Sequence, residues 1–330
     1  MMRLPPFRYH RPTTVAEAAS ILAGDGPAAK LVAGGTDLYP NMKRRHQTPD
    51  VVVSVQRVDA LHGIDADGEG LRLGASTTLR QLERDATIQE TLPALHQAVR
   101  SISTPLLRTM GTIGGNVCLD TRCNYYDQNW EWRRAIDFCL KCEGDTCWTA
   151  PGSDRCLAVN SSDSVPVLIA LDAAVQLVGH KSEREIPVHA LFRDDGIEYL
   201  DKAGDEVLTG IRIPAQGALR SVYRKVRRRG SFDFPVAAVA VRLGMDGDEV
   251  DHARIVLNAV GSTPLRCEEA EALLVGRRPD DETIEEVATQ AYKPAKPLDN
   301  TDHQAAWRKK RIRVEVARAL KDLRDQFATA

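Results

Sequence analysis

The chain has 330 residues, of which 43% are hydrophobic and 27% are charged, as in ordinary soluble globular proteins of one to three domains. Its 44 basic and 46 acidic residues give a formal net charge of −2, which excludes strong bulk attraction to nucleic acid or to a membrane surface. Apolar runs such as VPVLIAL at 165–171 are too short to span a bilayer. The N-terminal residues do not resemble a secretory signal, so we expect a cytoplasmic protein with reduced cysteines.

The first hundred residues alternate between helix and strand signals. The segment TVAE at 14–17 has the spacing of a capping box, which predicts a helix that continues to Leu22 and ends at the glycines that follow. Strands are predicted at 31–33, 51–55 and 71–75, and helices at 77–84 and 90–100. The first of these strands leads directly into Gly34 and Gly35.

The second half of the chain begins with a predicted buried helix followed by a strand, in VPVLIALDAAVQLVG at 165–179. A change in composition at 213–220 indicates a domain boundary. Beyond it the pattern predicts strands in 221–228, 235–244 and 252–261, and helices at 267–275, 281–292 and 303–327. The basic run at 308–313 is predicted to be a solvated helix face, with Val314, Val316, Ala317 and Leu320 buried, rather than a nucleic-acid site.

Two glycine pairs, Gly34-Gly35 and Gly114-Gly115, are candidates for ligand binding. Neither lies in a G-x-G-x-x-G fingerprint or a P-loop sequence. Glycine nevertheless allows the backbone to approach a ligand closely, and successive amides can form a nest for anionic oxygens. The first pair, with the Thr36 hydroxyl, could therefore bind a diphosphate. The alternative for each pair on its own is an ordinary structural turn.

Six of the seven cysteines lie between residues 118 and 156, together with three of the four tryptophans. In a reducing compartment such a concentration indicates metal ligation, and both iron–sulfur clusters and zinc accept four thiolates. Only Cys139 and Cys142 form a tight pair, which favours a cluster held by loops over a zinc site. The remaining alternative is a set of free thiols. The aromatic residues would shield a redox centre from water, or would form the core of an inserted lobe.

Four segments of the chain, in order, resemble the flavin subunits of the molybdenum hydroxylases; they are FRYHRPTTVAEAASIL, LVAGGTDLYPNMK, GTIGGNV and DSVPVLIALDA. The resemblance extends from residue 4 to the C-terminal helix. It implies an α+β fold with a vanillyl-alcohol-oxidase (PCMH)-type FAD-binding domain of two subdomains, 1–60 and 61–217. An insertion at about 118–160 and a C-terminal α+β domain of the carbon monoxide dehydrogenase flavoprotein type, 218–330, complete the expected organisation.

The same resemblance implies the residues that bind FAD. One wall of the site, acting mainly through backbone amides, would be formed by Lys30, Leu31, Val32, Ala33, Gly34, Gly35, Thr36, Asp37 and Leu38. The second wall would be formed by Thr112, Gly114, Gly115 and Asn116, the last through its side chain. Ile102 would lie against the adenine, Asp163 would hold the ribityl hydroxyls and Lys225 would lie near the flavin. From the sequence alone, Asp163 is also an N-cap candidate for the next helix.

Within this family, the cysteine-rich insertion resembles that of the beta subunit of 4-hydroxybenzoyl-CoA reductase, which carries a [4Fe–4S] cluster. The matching segments are DTRCNYY, FCLK, GDTC and SDRC. They imply Cys123, Cys139, Cys147 and Cys156 as the cluster ligands. Cys142 is an additional thiol that could replace Cys139, whereas Cys118 and Cys267 are expected to be ordinary packed cysteines.

The function implied by the resemblance is electron transfer, with no catalytic residue on this chain. Electrons from a ferredoxin-like donor would pass through the [4Fe–4S] cluster and FAD to a small [2Fe–2S] subunit and then to a large molybdopterin subunit. That subunit would reductively remove a phenolic hydroxyl from an aromatic CoA thioester, in a heterotrimer doubled to a heterohexamer. One alternative is the FAD subunit of an oxidative molybdenum hydroxylase of the xanthine or aldehyde dehydrogenase type. The other is a zinc-stabilised scaffold without a redox role.

Overall fold

The computed structural model describes residues 3–66 and 68–329, which form three consecutive β-sheets with helices packed against them. The first sheet is parallel, in the order β1 (Arg8–His10), β3 (Val51–Ser54), β2 (Ala29–Val32). Helix α1 (Val15–Asp25) precedes β2 and helix α2 (Leu38–Lys43) follows it. The Thr14 side chain caps α1 by accepting from the Glu17 amide, which confirms the predicted start.

The second sheet is antiparallel and has five strands in the order β4-β5-β8-β6-β7. They are β4 (Ile64–Ala66), β5 (Gly70–Gly74), β6 (Ala174–Val178), β7 (Glu183–Pro187) and β8 (Val207–Pro214). Seven helices connect β5 to β6: α3 (Leu79–Arg84), α4 (Ala86–Thr91), α5 (Pro93–Ser101), α6 (Pro105–Arg108), α7 (Ile113–Val117), α8 (Trp130–Ala135) and α9 (Ser164–Ala170). The helix predicted at 90–100 is divided between α4 and α5, which meet at Leu92. Leu92 precedes Pro93, and the proline ring sterically disfavours helical backbone angles at the residue before it.

The third sheet is also antiparallel, in the order β12-β11-β10-β9. Its strands are β9 (Arg220–Val226), β10 (Ala237–Asp246), β11 (Glu249–Asn258) and β12 (Leu265–Arg266), and α10 (Glu268–Leu274), α11 (Asp281–Ala291) and α12 (Ala305–Ala328) cover one face. These bounds confirm the predicted strands and helices of this half. In α12, Val316 and Leu320 are buried as predicted, but Val314 is exposed. It lies two residues from Val316, so it projects from a different side of the helix.

The second and third sheets share one hydrophobic core. All seven residues of helix α9 are buried, as predicted for this segment, and the helix packs against β10 and β11 of the third sheet and against helices α5 and α7. Tyr223, Ala238 and Val256 of the third sheet join the core built on the second. The fold is therefore α+β, as predicted, and the boundaries predicted at 60/61 and 217/218 fall between the sheets. No helix among the described residues combines the length and apolarity that a membrane span requires.

A buried ion pair holds the segment between α5 and α7 in place. Arg108 is almost fully buried, donates two hydrogen bonds to the Glu83 carboxylate at 3.0 and 3.1 Å, and donates a third to the carbonyl of Ile102 at 2.9 Å. Burial acts to raise the pKa of Glu83, but the hydrogen bonds from Arg108 and Arg80 outweigh it and lower that pKa. The pair therefore stabilises the folded protein at pH values above the pKa of glutamate in the unfolded chain, about 4.3. This stabilisation is lost as the pH falls below that value.

Replacing Arg108 with Met should destabilise the protein by about 3–5 kcal/mol, because it removes one partner of a buried ion pair and leaves the Ile102 carbonyl unpaired. Arg80→Met is the matched control, since Arg80 binds the same carboxylate from a more exposed position and should contribute at most about 1 kcal/mol. Urea titration of both variants at pH 7 measures the free energies of unfolding. Equal losses would show that burial does not strengthen the Arg108 contact.

Candidate functional site

A cleft of about 950 Å³ brings together most of the predicted FAD-binding residues. Its volume is at the upper end of the usual range for small-molecule sites. The lining includes all nine residues from 30 to 38, and also Ile102, Thr112, Gly114, Gly115 and Asn116. Asp163 and Lys225 are the two predicted residues that do not line it. The lining also includes Ser76, residues 118–120, 197–200, 202–205 and 207–208, and Phe234.

The first wall is the turn that joins strand β2 to helix α2. The backbone amides of Gly34, Gly35 and Thr36 donate to no acceptor within residues 3–66 and 68–329. Gly35 has a positive φ of 69°, which glycine adopts without a steric cost. The unpaired amides at the start of a helix form a concave donor surface suited to anionic oxygens.

The second wall contacts the first through glycine. An added Cβ on Gly34 would lie 1.7 Å from the carbonyl oxygen of Met110, so only glycine allows this approach. Helix α7 begins after Thr112, whose hydroxyl accepts from the Gly115 amide at 3.1 Å. The two glycine pairs predicted from the sequence thus lie in the two opposing walls of one cleft.

Asn116 and Ser76 provide side-chain hydrogen-bonding groups in the cleft. The Asn116 Oδ1 accepts from the Ser162 and Ser164 hydroxyls and from the Ser164 amide, which fixes the side chain and leaves Nδ2 available to a ligand. Ser76 is buried in the lining, and its hydroxyl has no partner among the described residues. A buried polar group normally has a partner, so an unpaired Ser76 hydroxyl fits a site that binds a polar ligand. The sequence analysis missed Ser76 because a single serine after a strand carries no distinguishing signal.

Asp163 and Lys225 form a buried ion pair outside the cleft lining. The Lys225 Nζ donates to Asp163 Oδ2 at 2.8 Å and to the Ser101 carbonyl at 3.0 Å, and the Tyr223 hydroxyl donates to Asp163 Oδ1 at 2.6 Å. Burial lowers the pKa of Lys225, and the Asp163 carboxylate opposes this effect. The predicted capping role of Asp163 is wrong, because its side chain makes no capping bond to α9. The Ser162 hydroxyl accepts from the Val165 amide at 3.3 Å instead.

Four of the cysteines are buried beside the cleft and are the candidates for a second site. Cys123, Cys139, Cys147 and Cys156 are exposed by only 5–8%. Cys123, Cys139 and Cys156 belong to one apolar cluster with Tyr126 and Ala158. Burial raises the pKa of the Cys156 thiol to about 11, and the nearby thiols of Cys147 and Cys123 contribute in the same direction. Burial likewise raises the pKa values of Cys123 and Cys139.

The remaining three cysteines have different surroundings. Cys142 is half-buried, and its sulfur accepts a hydrogen bond from the Arg133 guanidinium at 2.7 Å. Cys267 is buried in the core of the third sheet, and Cys118 is half-buried in the wall of the cleft. Nowhere in residues 3–66 and 68–329 do three His, Cys, Asp or Glu side chains converge closely enough to hold a single metal ion.

The cysteine lobe, residues 118–160, is attached directly to the cleft. Arg122 of the lobe pairs with Asp37 of the first wall. Lys141 donates to Asp120, which lines the cleft, at 2.8 Å. The Gly196 amide donates to the carbonyl of Cys156 at 2.8 Å, immediately before the lining residues 197–200. The two candidate sites are therefore neighbours.

Comparisons with known proteins agree with this arrangement. Residues 5–216 match the family described as the FAD binding domain in molybdopterin dehydrogenase, and residues 221–323 match the CO dehydrogenase flavoprotein C-terminal domain. The carbon monoxide dehydrogenase medium chain of Hydrogenophaga pseudoflava is 30% identical over 319 residues, which are 96% of each chain. The xanthine dehydrogenase FAD-binding subunit of Escherichia coli O157:H7 is 26% identical over 303 residues, 91% of this chain and 88% of that subunit.

A solved structure of carbon monoxide dehydrogenase from Hydrogenophaga pseudoflava, in a form lacking the Mo-pyranopterin moiety, superposes with a TM-score of 0.81 at 29% identity. The match covers 97% of this chain and 98% of the other. These similarities do not distinguish a 4-hydroxybenzoyl-CoA reductase subunit from a subunit of an oxidative enzyme. They do show that the chain belongs to the FAD-binding medium subunits of the molybdenum hydroxylase family of oxidoreductases.

Proposed function

We propose that this chain is a cytoplasmic electron-transfer subunit that holds FAD in the cleft and a [4Fe–4S] cluster at Cys123, Cys139, Cys147 and Cys156. FAD exchanges electrons singly or in pairs and a cluster exchanges them singly, and this is the chemistry that the two groups supply when bound. The observation that carries the proposal is the burial of four cysteines beside the wall of the FAD cleft.

The residues of the cleft suit the separate parts of FAD. The free amides of Gly34, Gly35 and Thr36 can donate to the diphosphate, so this site needs no lysine for charge neutralisation. The Asn116 amide and the Ser76 hydroxyl are further donors in the lining. Ile102 supplies an apolar contact for the adenine. Lys225 donates to the Ser101 carbonyl, and the next residue, Ile102, lines the cleft. We therefore expect the Asp163–Lys225 pair to lie near the ribityl chain and the flavin ring of bound FAD.

The number and type of the buried side chains suit an iron–sulfur cluster, because a [4Fe–4S] cluster is held by four cysteine thiolates. Zinc accepts the same four thiolates, so metal analysis of the purified protein separates the two. Cys139 is the better candidate, because it is buried in one apolar cluster with Cys123 and Cys156, whereas Cys142 is only partly buried at the edge of that cluster and accepts a hydrogen bond from Arg133.

We infer that the subunit acts with a large molybdopterin subunit and a small [2Fe–2S] subunit in a complex similar to 4-hydroxybenzoyl-CoA reductase. Electrons would enter from a ferredoxin-like donor, and the heterotrimer would be doubled. The runner-up is an oxidative complex, since one relative is a xanthine dehydrogenase subunit and another is part of carbon monoxide dehydrogenase. Both share the FAD cleft and differ in the direction of electron flow.

An activity assay on the native complex distinguishes these two functions. With a reduced low-potential dye, the proposed function predicts conversion of 4-hydroxybenzoyl-CoA to benzoyl-CoA, which consumes two electrons and two protons and releases water. With an oxidised dye, the runner-up predicts oxidation of xanthine, an aldehyde or carbon monoxide. Oxidation of one of these, without any reductive dehydroxylation, would overturn the proposed substrate class.

Gly34→Ala should weaken FAD binding, because its Cβ would meet the Met110 carbonyl and separate the two walls of the cleft. Overpacking costs about 1–3 kcal/mol, which corresponds to a loss of about 5-fold to 150-fold in affinity if the cost falls on the bound state. Gly24→Ala is the control, since nothing lies within 4 Å of its added Cβ. Fluorescence titration of the flavin-free protein with FAD gives both affinities. Unchanged affinity in the Gly34 variant would contradict the assignment of the first wall.

Cys147→Ser should abolish iron binding and leave FAD bound, because it removes one ligand of the cluster and none of the cleft lining. Cys142→Ser is the control and should retain both groups. Iron analysis and the flavin spectrum of each anaerobically purified variant test these outcomes. Retention of iron in the Cys147 variant, or its loss in the Cys142 variant, would show that the ligand set is wrong.

Gly196→Ala should lower the iron content, since the added Cβ would lie 2.6 Å from the Cys156 sulfur and displace it. Gly152→Ala, within the cysteine lobe, adds a methyl group with nothing within 4 Å and should keep a full complement of iron. Iron per chain is the measurement for both. If the two variants retain equal iron, Cys156 tolerates displacement and is not a ligand.

A further inference from the structure

Lys141 lies at the junction between the cysteine site and the cleft. It occupies the short loop between Cys139 and Cys142, yet its side chain is directed towards the cleft wall and is only 6% exposed. The Nζ donates to Asp120 Oδ1 at 2.8 Å and to the Thr121 hydroxyl at 2.6 Å, and it also donates to the carbonyl of Gly196. All three donors of the ammonium are therefore used within the protein.

Two tyrosine rings enclose the same ammonium. The Nζ lies 5.1 Å from the ring centroid of Tyr126, which belongs to the apolar cysteine cluster, and 5.5 Å from that of Tyr199, which lines the cleft. Both distances are within the range of a cation–π contact. The two sites thus share one buried cation, with an aromatic ring from each side.

The charge of Lys141 lies close to the cysteine site. Lys141 follows Cys139 by two residues, and its Nζ donates to the carbonyl of Gly196, whose amide donates to the carbonyl of Cys156. Reduction of a cluster adds one negative charge, and a nearby buried cation stabilises that charge with little screening by solvent. Removal of the cation would also leave the buried Asp120 carboxylate without its ion-pair partner, and both effects disfavour reduction.

Building on the proposed function, we infer that Lys141 is a positioning residue that sets the reduction potential of the cluster and holds the cysteine lobe against the FAD cleft. Lys141 lies between the cysteines that would hold the cluster and the cleft that would hold FAD, and this role involves no bond formed or broken. A potential raised by Lys141 would make the cluster easier to reduce by its donor. The alternative is a purely structural anchor, whose loss would change iron content but not potential.

Neutral and charged replacements separate these two roles. Lys141→Gln keeps hydrogen-bond donors for Asp120 without the charge, Lys141→Met removes both, and Lys141→Arg keeps the charge. Arg155→Met is the matched control, because it removes a cation next to Cys156 that is partly exposed and pairs with Asp194 outside the cleft lining. Each protein is purified anaerobically, and its iron, its FAD and the midpoint potential of its cluster are measured, the last by EPR-monitored titration.

We expect Lys141→Gln to retain iron and FAD. The equilibrium constant for one-electron reduction of its cluster should fall about tenfold, which lowers the midpoint potential by about 59 mV. Lys141→Met should show at least the same fall, and Lys141→Arg and Arg155→Met should stay close to the wild type. An unchanged potential in an iron-replete Gln variant would overturn the inference. Loss of iron from both neutral variants would also overturn it, since Lys141 would then be only an anchor. Absence of iron from the wild type would instead overturn the proposed function itself.

Discussion

The contact between the cysteine lobe and the FAD cleft is held by one ion pair and by hydrogen bonds to the Gly196 carbonyl. Arg122 reaches from the lobe to Asp37 in the first wall, and Lys141 and Thr121 of the lobe donate to the Gly196 carbonyl, next to the lining residues 197–200. The Arg122 guanidinium is largely buried and an isolated buried charge is costly, so its pair with Asp37 favours contact between the lobe and the cleft. Any group held by the cysteines is therefore close to any group held in the cleft.

The cleft itself depends on close backbone approach. Gly34 allows the turn after β2 to touch the segment at Met110, and the amides of that turn remain unpaired in the described residues. A donor surface of this kind binds anionic oxygens without a basic side chain. The rest of the second subdomain, including the buried Arg108–Glu83 pair, supports this geometry and keeps the walls in place.

Much of the fold was predictable from the sequence, because local signals agree with the tertiary structure. Alternating polar and apolar residues and short apolar runs predicted the strands of the third sheet. The all-apolar pattern of residues 165–170 predicted a helix that is buried on every side. The signals failed where tertiary contacts decide. Val314 fits an apolar pattern but projects away from the core, and Asp163 has the residue type of a helix cap but pairs with Lys225 and Tyr223.

The candidate sites were also predictable only in part. Glycine pairs and clustered cysteines are visible in the sequence, and the structure brings the pairs into opposing walls. The unpaired Ser76 hydroxyl and the buried position of Lys141 were not predictable, because both depend on contacts between segments far apart in the chain.

The central claim is that one lobe of this polypeptide carries inorganic iron beside a flavin. The most direct test is to purify the chain under strict exclusion of oxygen and to determine iron, acid-labile sulfide, zinc and flavin per polypeptide. The account predicts a yellow-brown protein with about four iron, about four sulfide and one FAD per chain, as the Cys₄ ligation of a [4Fe–4S] cluster requires. A protein that contains FAD but neither iron nor sulfide, or that contains zinc in their place, would contradict it.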